Sequence, residues 1–517
     1  MSYKIEQPIG NNIYVYEVQS YWDKSKQQAR QKRKYIGKKD PKTGNIITPR
    51  KSNLPRFSKD FGNVYLLKHI AQSIGLTDIL KKIFPDDFKE ILAFAYYDIC
   101  ESKALYLFKS WMEMTYLPQT KALTPKQITS FTRQMSSMEE ERERFFNKWL
   151  DKRKPVNAVV FDITSLSGYS ELIKLLEWGY NRDLEKLPQI NFGVVFDQEG
   201  NIPLFYRIYP GSITDVKTLK NILKHLLANK LKQIIFILDR GFYSMSNISE
   251  MEEESIDFII PFPFKVKQAI TLISKHKAIL QSPLSAFKFK KEVIYYIKDN
   301  IVLNDINLSA HIYFSKTREY YEQNHFMNRL LDIEDNIKKR TFYYLGNVRE
   351  YLSQNFRGSE KLFDITLKEG KAYLTRKVKA ISRKINKMGY MILLSNNHTI
   401  TKEDALLYYR RRDYLEKLFD SLKNELDGKR LRGHSKETIE GRLYLKFISL
   451  ILYSAISNKM KEQELFKKYS VKELLNEMKK IRVVEMTNGK QYITEISKKQ
   501  SNILNAFDLE IPIDPRY

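Results

Sequence analysis

The sequence predicts a mixed α/β protein whose sheet-based core follows a helical region and is interrupted by a long insertion. Three observations carry this. Apolar runs of strand length recur from Asn157 onward, and two of them, Ala158 to Phe161 and Ile234 to Leu238, each end in an aspartate. Helical apolar spacing fills Val64 to about Leu150. The strand pattern lapses after IDFIIPFPF, Ile256 to Phe264, and resumes at GYMILLSN, from Gly389.

Taken in chain order, residues 1–60 hold 14 Lys and Arg against 5 Asp and Glu, with the alternating NIYVYEV reading as a strand before a basic stretch. They are expected as a basic N-terminal segment with short strands, either a basic arm or a solvated lead segment. Residues 61–155, with LTDIL and ALYLFKSW, form a helical domain. Within it LTPKQITSFTRQM, Leu123 to Met135, offers half of a helix-turn-helix but no second half, so packing is favoured over DNA reading.

The strands NAVVFDI, INFGVVFD and IPLFYRIYP, a helical stretch after Asp215, and then QIIFILD make a three-strand meander followed by a crossover. That order predicts a ribonuclease H-like core, with its first part at 156–264 and its second at 389–440. Between them, 265–388 is expected as a β-rich insertion domain. Residues 265–390 carry 25 Lys and Arg against 12 Asp and Glu, a net of +13, with aromatics such as Tyr295, Tyr296, Tyr313, Phe314, Phe342, Tyr343 and Tyr344. KEVIYYIKDN and SAHIYFSK are well explained as half-buried strands. Residues 441–517 are expected as a C-terminal helical region whose LYLKFISLILYSAIS is core more often than dimer contact.

The second part of the core holds the most informative spacing. Tyr409, Arg412, Glu416 and Lys423 stand three, four and seven residues apart in one helical-looking segment. At roughly 100° per residue they fall near 0°, 300°, 340° and 320°, inside an arc of about 60°. Tyr414, Leu415, Leu418, Phe419, Leu422 and Leu426 point elsewhere, so the helix buries one side and presents a polar quartet. A carboxylate among cations and a phenol suits a metal held beside phosphates. The plainer alternative for this segment alone is an i,i+4 pair between Arg412 and Glu416 on a solvated face. Asp162 and Asp239 shift that balance. Each reads as an acid at the carboxyl end of a buried strand, where open α/β sheets bind ligands, although taken singly each also suits a turn or cap. Three converging carboxylates repel unless neutralised. A pair of divalent ions about 3.5–4 Å apart is the usual solution in phosphodiester chemistry, and hard oxygen ligands favour Mg²⁺ or Mn²⁺.

Asp162, Asp239 and Glu416 in this order, the phrase DRGFYS from Asp239 to Ser244, and the Tyr409, Arg412, Glu416, Lys423 quartet with every interval kept resemble an insertion-sequence DDE transposase of the Tyr-Arg-Glu-Lys type. FDITS, Phe161 to Ser165, and PGSITD, Pro210 to Asp215, also resemble family segments, and Val15 to Gly44 resembles the opening of one subgroup. By motif the resemblance covers roughly residues 150 to 450. It implies cleavage and strand transfer at the ends of the chain's own mobile element by two-metal phosphoryl transfer. Asp162, Asp239 and Glu416 would be the catalytic metal ligands, and Tyr409, Arg412 and Lys423 would position DNA phosphates. Relatives can hold a flipped base on an insertion-domain tryptophan, and some pass through a DNA hairpin. Here Trp22, Trp111, Trp149 and Trp178 all lie outside the insertion.

Composition narrows the rest. The chain has 517 residues, is 43% hydrophobic, and has a net charge of +27 and a pI near 9.6. Three or so domains, a substantial core and an anionic partner are expected, double-stranded DNA fitting best, although a codon-driven Lys excess would also give a basic chain. The single Cys100 rules out an intrachain disulfide, and runs such as Phe447 to Ile456 are short for a bilayer. A cytoplasmic, prokaryotic protein, nucleoid-associated when bound to DNA and dimeric in its end complex, is the expectation. No paired zinc spacing or phosphate-cradling GxxxxGK run occurs. Two alternatives stay open, a ribonuclease H-like nuclease without strand transfer and a catalytically inactive DNA-binding protein.

Overall fold

The computed structural model describes residues 2–23, 26–48, 54–170, 173–181, 183, 185–228 and 234–512. They form two compact units. One comprises 67–111 and 119–474, and the other 1–66, 112–118 and 475–517.

The larger unit is built on a mixed ten-stranded sheet. Its centre is the expected meander, Ala158–Gly168, Gln189–Asp197 and Ile202–Pro210, antiparallel throughout. A helix, Asp215–Ala228, returns the chain to Ile235–Leu238, which runs parallel to the first strand with Leu238 opposite Phe161. Asp257–Pro261 then adds in parallel. The first strand has 11 residues, all buried, and continues well past Asp162, so this acid lies mid-strand and not at a strand end. The apolar run stops at Phe161, but Asp162 to Ser167 keep pairing with Val194 to Gln189, because ladder bonds belong to the backbone.

The expected insertion is not one separate β-rich body. Tyr390–Ser395 pairs with Asp257–Pro261 on one side and with Ile306–Phe314 on the other, and Glu292–Leu303 and Ala286–Phe289 follow outward. The first half of 265–388 therefore extends the core sheet. The second half is mostly helical: Lys316–Lys338, Leu345–Asn355 and Val378–Ile385, with one hairpin, Phe363–Lys368 and Lys371–Arg376. It closes over its own apolar cluster, including Leu330, Ile333, Ile337, Val348, Leu352 and Phe363. Alternation identifies a strand but not its neighbour, which is why the sequence placed all of these residues in one insertion.

The helix Lys436–Glu462 is apolar nearly all round and correspondingly buried. The helix Pro125–Ser137 packs on it, started by a capping box between Thr124 and Gln127 and by Pro125 in its first turn. A Cβ at Gly441 would overlap the Thr132 carbonyl oxygen, so the close crossing requires glycine there. Ile128, Phe131, Thr132 and Met135 are spent on packing, as the reading of Leu123 to Met135 favoured. In the same unit, Lys446 ion-pairs with the buried Asp98 at 2.8 Å, and Ser449 donates to the other carboxylate oxygen at 3.0 Å.

In the smaller unit Pro55–Asp60 pairs antiparallel with Arg482–Met486, which pairs with Gln491–Ile493. The boundaries at 60 and 441 are thus not unit boundaries, and the C-terminal region is not wholly helical. Buried Asp60 ties this sheet, with Lys479 at 3.5 Å and Arg482 at 3.4 Å. The basic segment is a four-stranded meander, Ser2–Ile9, Asn12–Asp23, Gln28–Lys39 and Ile46–Ile47; residues 1, 24–25 and 49–53 of it lie outside the described residues. Among the described residues no helix is long and apolar enough to cross a membrane.

Candidate active site

The polar quartet spans two helices rather than one. Lys402–Arg411 begins at Thr401, whose hydroxyl accepts the Asp404 N–H at 3.0 Å, and Asp413–Asn424 follows after Arg412. Arg412 keeps right-handed helical angles, φ −54° and ψ −30°, and its N–H reaches the Tyr409 carbonyl at 3.3 Å. The helical direction is therefore nearly preserved. The break places Asp413 and Glu416 in a first turn, where carboxylates oppose the helix dipole favourably. Leu415, Leu418, Phe419 and Leu422 are buried on the apolar stripe that the spacing predicts.

Asp162 is only 2% exposed, and its Oδ1 accepts the Ile163 N–H at 2.8 Å. Phe161 pairs with Leu238 in the last register position of the parallel ladder, and Asp162 and Asp239 are the residues that directly follow it in the two segments. Asp239 is extended and leads into the single 3₁₀ turn Arg240–Phe242. Arg412, its side chain 14% exposed, binds Asp239 through Nη1 and Glu416 Oε1 through Nη2, the latter at 2.6 Å. Burial opposes the guanidinium charge, but Asp239 first, then Tyr409, Glu416 and Asp162 outweigh it and hold its pKa above the ordinary value. The Arg412 guanidinium lies 5.3 Å from the Tyr409 ring centroid, and burial raises the Tyr409 phenol. One cation thus stands among acids from three elements. Among the described residues no trio of His, Cys, Asp or Glu is drawn together tightly enough to cage a metal directly. The acids are gathered through Arg412. Their all-carboxylate chemistry fits a hard divalent ion.

Lys423 is placed differently. Its side chain is 12% exposed and donates to Asp183 at 2.7 Å. Nearby in sequence, Glu185 takes an ion pair from Arg430 and the Ser167 hydroxyl at 2.6 Å, and the Arg430 bond foremost pulls its carboxyl down to about 2.

Residues 157–452 match the family model described as a transposase DDE domain. The chain belongs to the transposase DDE domain family. That span contains Asp162, Asp239, Glu416 and the whole quartet. Among solved structures, a cryo-EM piggyBac transposase synaptic complex with hairpin DNA is similar at a TM-score of 0.35 and 10% identity, over 81% of this chain and 69% of that one. No curated protein shows significant similarity to the chain.

In the transposase a cleft of about 350 Å³ opens beside Asp239, lined by Arg240, Arg318, Tyr409 and Arg412 with Phe262 and Tyr390. Sequence reasoning missed Arg240 and Arg318. Arg240 had a signal, its adjacency to Asp239 in DRGFYS, whereas Arg318 and the Lys423 partner Asp183 had none, being brought in by tertiary contacts alone. The PGSITD loop is pinned by Asn191, whose amide donates to Ile213 O at 2.9 Å and Gly211 O at 3.3 Å. The Asp215 side chain lies outside the described residues. Of the insertion aromatics, Tyr313 and Phe314 are buried in the sheet, and Tyr313 donates its hydroxyl to the Lys402 carbonyl at 2.8 Å.

Proposed function

We propose that this transposase cuts DNA at the ends of an insertion sequence and joins the freed ends to target DNA, on a ribonuclease H-like core that carries Asp162, Asp239 and Glu416 as ligands for two divalent ions. The observation that carries this reading is the fork of Arg412 on Asp239 and Glu416 beside Asp162. Acids separated by long stretches of chain share one counter-charge, and such a concentration of carboxylate in a chain of net charge +27 has no use for a simple anion binder.

When bound, Mg²⁺ or Mn²⁺ would activate the attacking hydroxyl and stabilise the leaving oxygen. The chain's own residues do the rest. Asp162, on a rigid central strand, supplies a fixed carboxylate, while Asp239 and the half-exposed Glu416 bring theirs from a strand end and a helix start. Arg412 keeps these acids neutralised and oriented, and its planar donors suit a DNA phosphate in line with them. Tyr409 steadies the guanidinium across its ring face. Lys423 contributes a phosphate contact from the helix that carries Glu416. The partner is double-stranded DNA, at the element ends and at the target, with two copies of the chain in the end complex.

The test is a strand-transfer assay with duplexes carrying the inverted repeats that flank the coding region. With Mg²⁺ the purified protein nicks these ends and joins them to a target. Asp162→Asn, Asp239→Asn and Glu416→Gln each lower cleavage about 1,000-fold or more while end binding persists, since each keeps shape and removes a charged ligand. Cleavage without joining would make the protein a nuclease. Near-normal nicking by one variant would remove that residue from the site.

A further inference from the structure

The basic meander in the smaller unit has a job that the acidic site does not explain. Its Gln28–Lys39 strand, QARQKRKYIGKK, carries Arg30, Lys32, Arg33, Lys34, Lys38 and Lys39 and no acid. It pairs with Asn12–Asp23 along one side, whereas on the other only Lys38 and Lys39 are paired, by Ile47 and Ile46. The Gln28 to Ile36 portion is therefore a free edge among the described residues. Arg30 is matched with Asp23 at 3.5 Å and Lys39 with Glu6 at 2.8 Å. Lys32, Arg33 and Lys34 are exposed and have no ion pair or hydrogen-bond partner among the described residues.

Register shapes the surface further. Among the described residues the Ser2–Ile9 strand reaches to Gln19, its partner being Ser2, so Ser20–Asp23 and Gln28–Gln31 extend beyond it as a two-stranded ribbon. At its tip Tyr21 and Trp22 are 47% and 62% exposed, opposite Arg30 and Ala29. We propose that this ribbon docks in a groove of duplex DNA with Tyr21 and Trp22 leading at the tip, while Lys32, Arg33 and Lys34, in the three-stranded part directly behind it, meet backbone phosphates at the rim of the groove. The inference rests on the proposed function in taking DNA as the substrate.

Two physical points favour a duplex. A ribbon of strands about 4.8 Å apart fits a major groove about 12 Å wide, where phosphates flank it on both sides. Alternation sends Lys32 and Lys34 to one face of the sheet and Arg33 to the other, so cations directly behind the ribbon are presented to the phosphates on both sides. Glu17, opposite Lys34, is the one acid directly across from Lys32, Arg33 and Lys34. A single strand instead needs a run of aromatics on one face. Here Tyr14 and Tyr16 are engaged with Tyr35, at 5.9 Å and 5.4 Å between ring centroids, and Tyr21 and Trp22 point to opposite faces.

The test measures affinity of the full chain for a labelled random-sequence duplex across a salt series, by fluorescence polarisation. In the combined variant Lys32→Gln, Arg33→Gln, Lys34→Gln, the slope of log affinity against log salt falls by about 2 to 3, near 0.9 per lost phosphate contact. Unchanged slope and affinity would overturn the proposal, as would tighter binding to a single strand or to phosphatidylserine vesicles than to the duplex. Should the variant fold poorly, ultraviolet cross-linking of the unaltered chain to the duplex decides: adducts within residues 19–35 support the ribbon, and adducts confined elsewhere reject it. The proposed function fails separately. A wild-type protein whose duplex binding depends on these cations but which never cleaves with Mg²⁺ loses the transposition reading and keeps the ribbon.

Discussion

Arg412 ion-pairs with Asp239, 173 residues earlier in the chain, while its second amino group bonds Glu416 one turn further along the helix at 2.6 Å. An i,i+4 pair on a solvated helix face would need no such distant partner. The fork makes Arg412 the residue through which a strand end and a helix start are held in relation to each other.

Arg412→Lys keeps the charge and removes the fork, because an ammonium is a single point charge. We expect end cleavage to fall about 10²–10³-fold, with duplex affinity changed only a few-fold. Single-turnover nicking on saturating DNA measures this directly. A rate near that of the wild type would show that charge alone suffices.

Lys423 and Asp183 are both partly exposed, so their pair is worth about 0.2–1 kcal/mol in a double-mutant cycle of stability. If Lys423 also contacts a phosphate, Lys423→Ala lowers the salt slope of end binding by about 0.9, and Asp183→Asn, which releases Lys423, does not. An unchanged slope together with unchanged strand transfer for Lys423→Ala would leave the lysine a purely structural tie.

His311 is wholly buried in the sheet strand Ile306–Phe314, its Nδ1 3.0 Å from the Tyr296 hydroxyl. Burial first, and Lys298 second, push its pKa down from 6.5 to about 4. Between those values the unfolded chain takes up the proton more readily than the folded one, so stability is full above about 6.5 and is lost as the pH falls toward 4. The loss is on the order of 3 kcal/mol. Apparent unfolding midpoints at pH 7 and pH 5 should differ more in the wild type than in His311→Gln. Glu185 and Asp299, each drawn down to about 2, foremost by Arg430 and by Lys275, lose their stabilisation as the pH falls from the ordinary carboxyl value toward 2, below the two pH values compared. Equal pH dependence in both proteins would reject the assignment.

Much of the site was legible before any contact was known. The intervals between Tyr409, Arg412, Glu416 and Lys423, the apolar stripe through Leu415, Leu418, Phe419 and Leu422, and the strand runs that lead into Asp162 and Asp239 are local patterns, and the structure carries them as the two helices and the central strands. Periodicity encodes which face of an element is buried, so these could be read from the residues alone.

Partnership could not. The apolar run ends at Asp162 as a strand terminus would, yet the backbone ladder continues to Ser167. The strands between Ala286 and Phe314 follow a gap in the pattern, as an insertion would, yet they hydrogen-bond onto Tyr390–Ser395 and lengthen the core sheet. Pro55–Asp60 finds Arg482–Met486 across almost the whole chain. The sequence by itself determined the chemistry on offer: three acids, a forked cation, a basic and mixed α/β chain with the marks of a transposase. Only the tertiary structure decided that Arg412 lies between Asp239 and Glu416, that Lys423 is held by Asp183, and that Lys32, Arg33 and Lys34 line an edge unpaired among the described residues. A residue's own neighbours in the chain set its local conformation, whereas hydrogen-bond and charge partners are chosen by the packing of segments far apart in sequence.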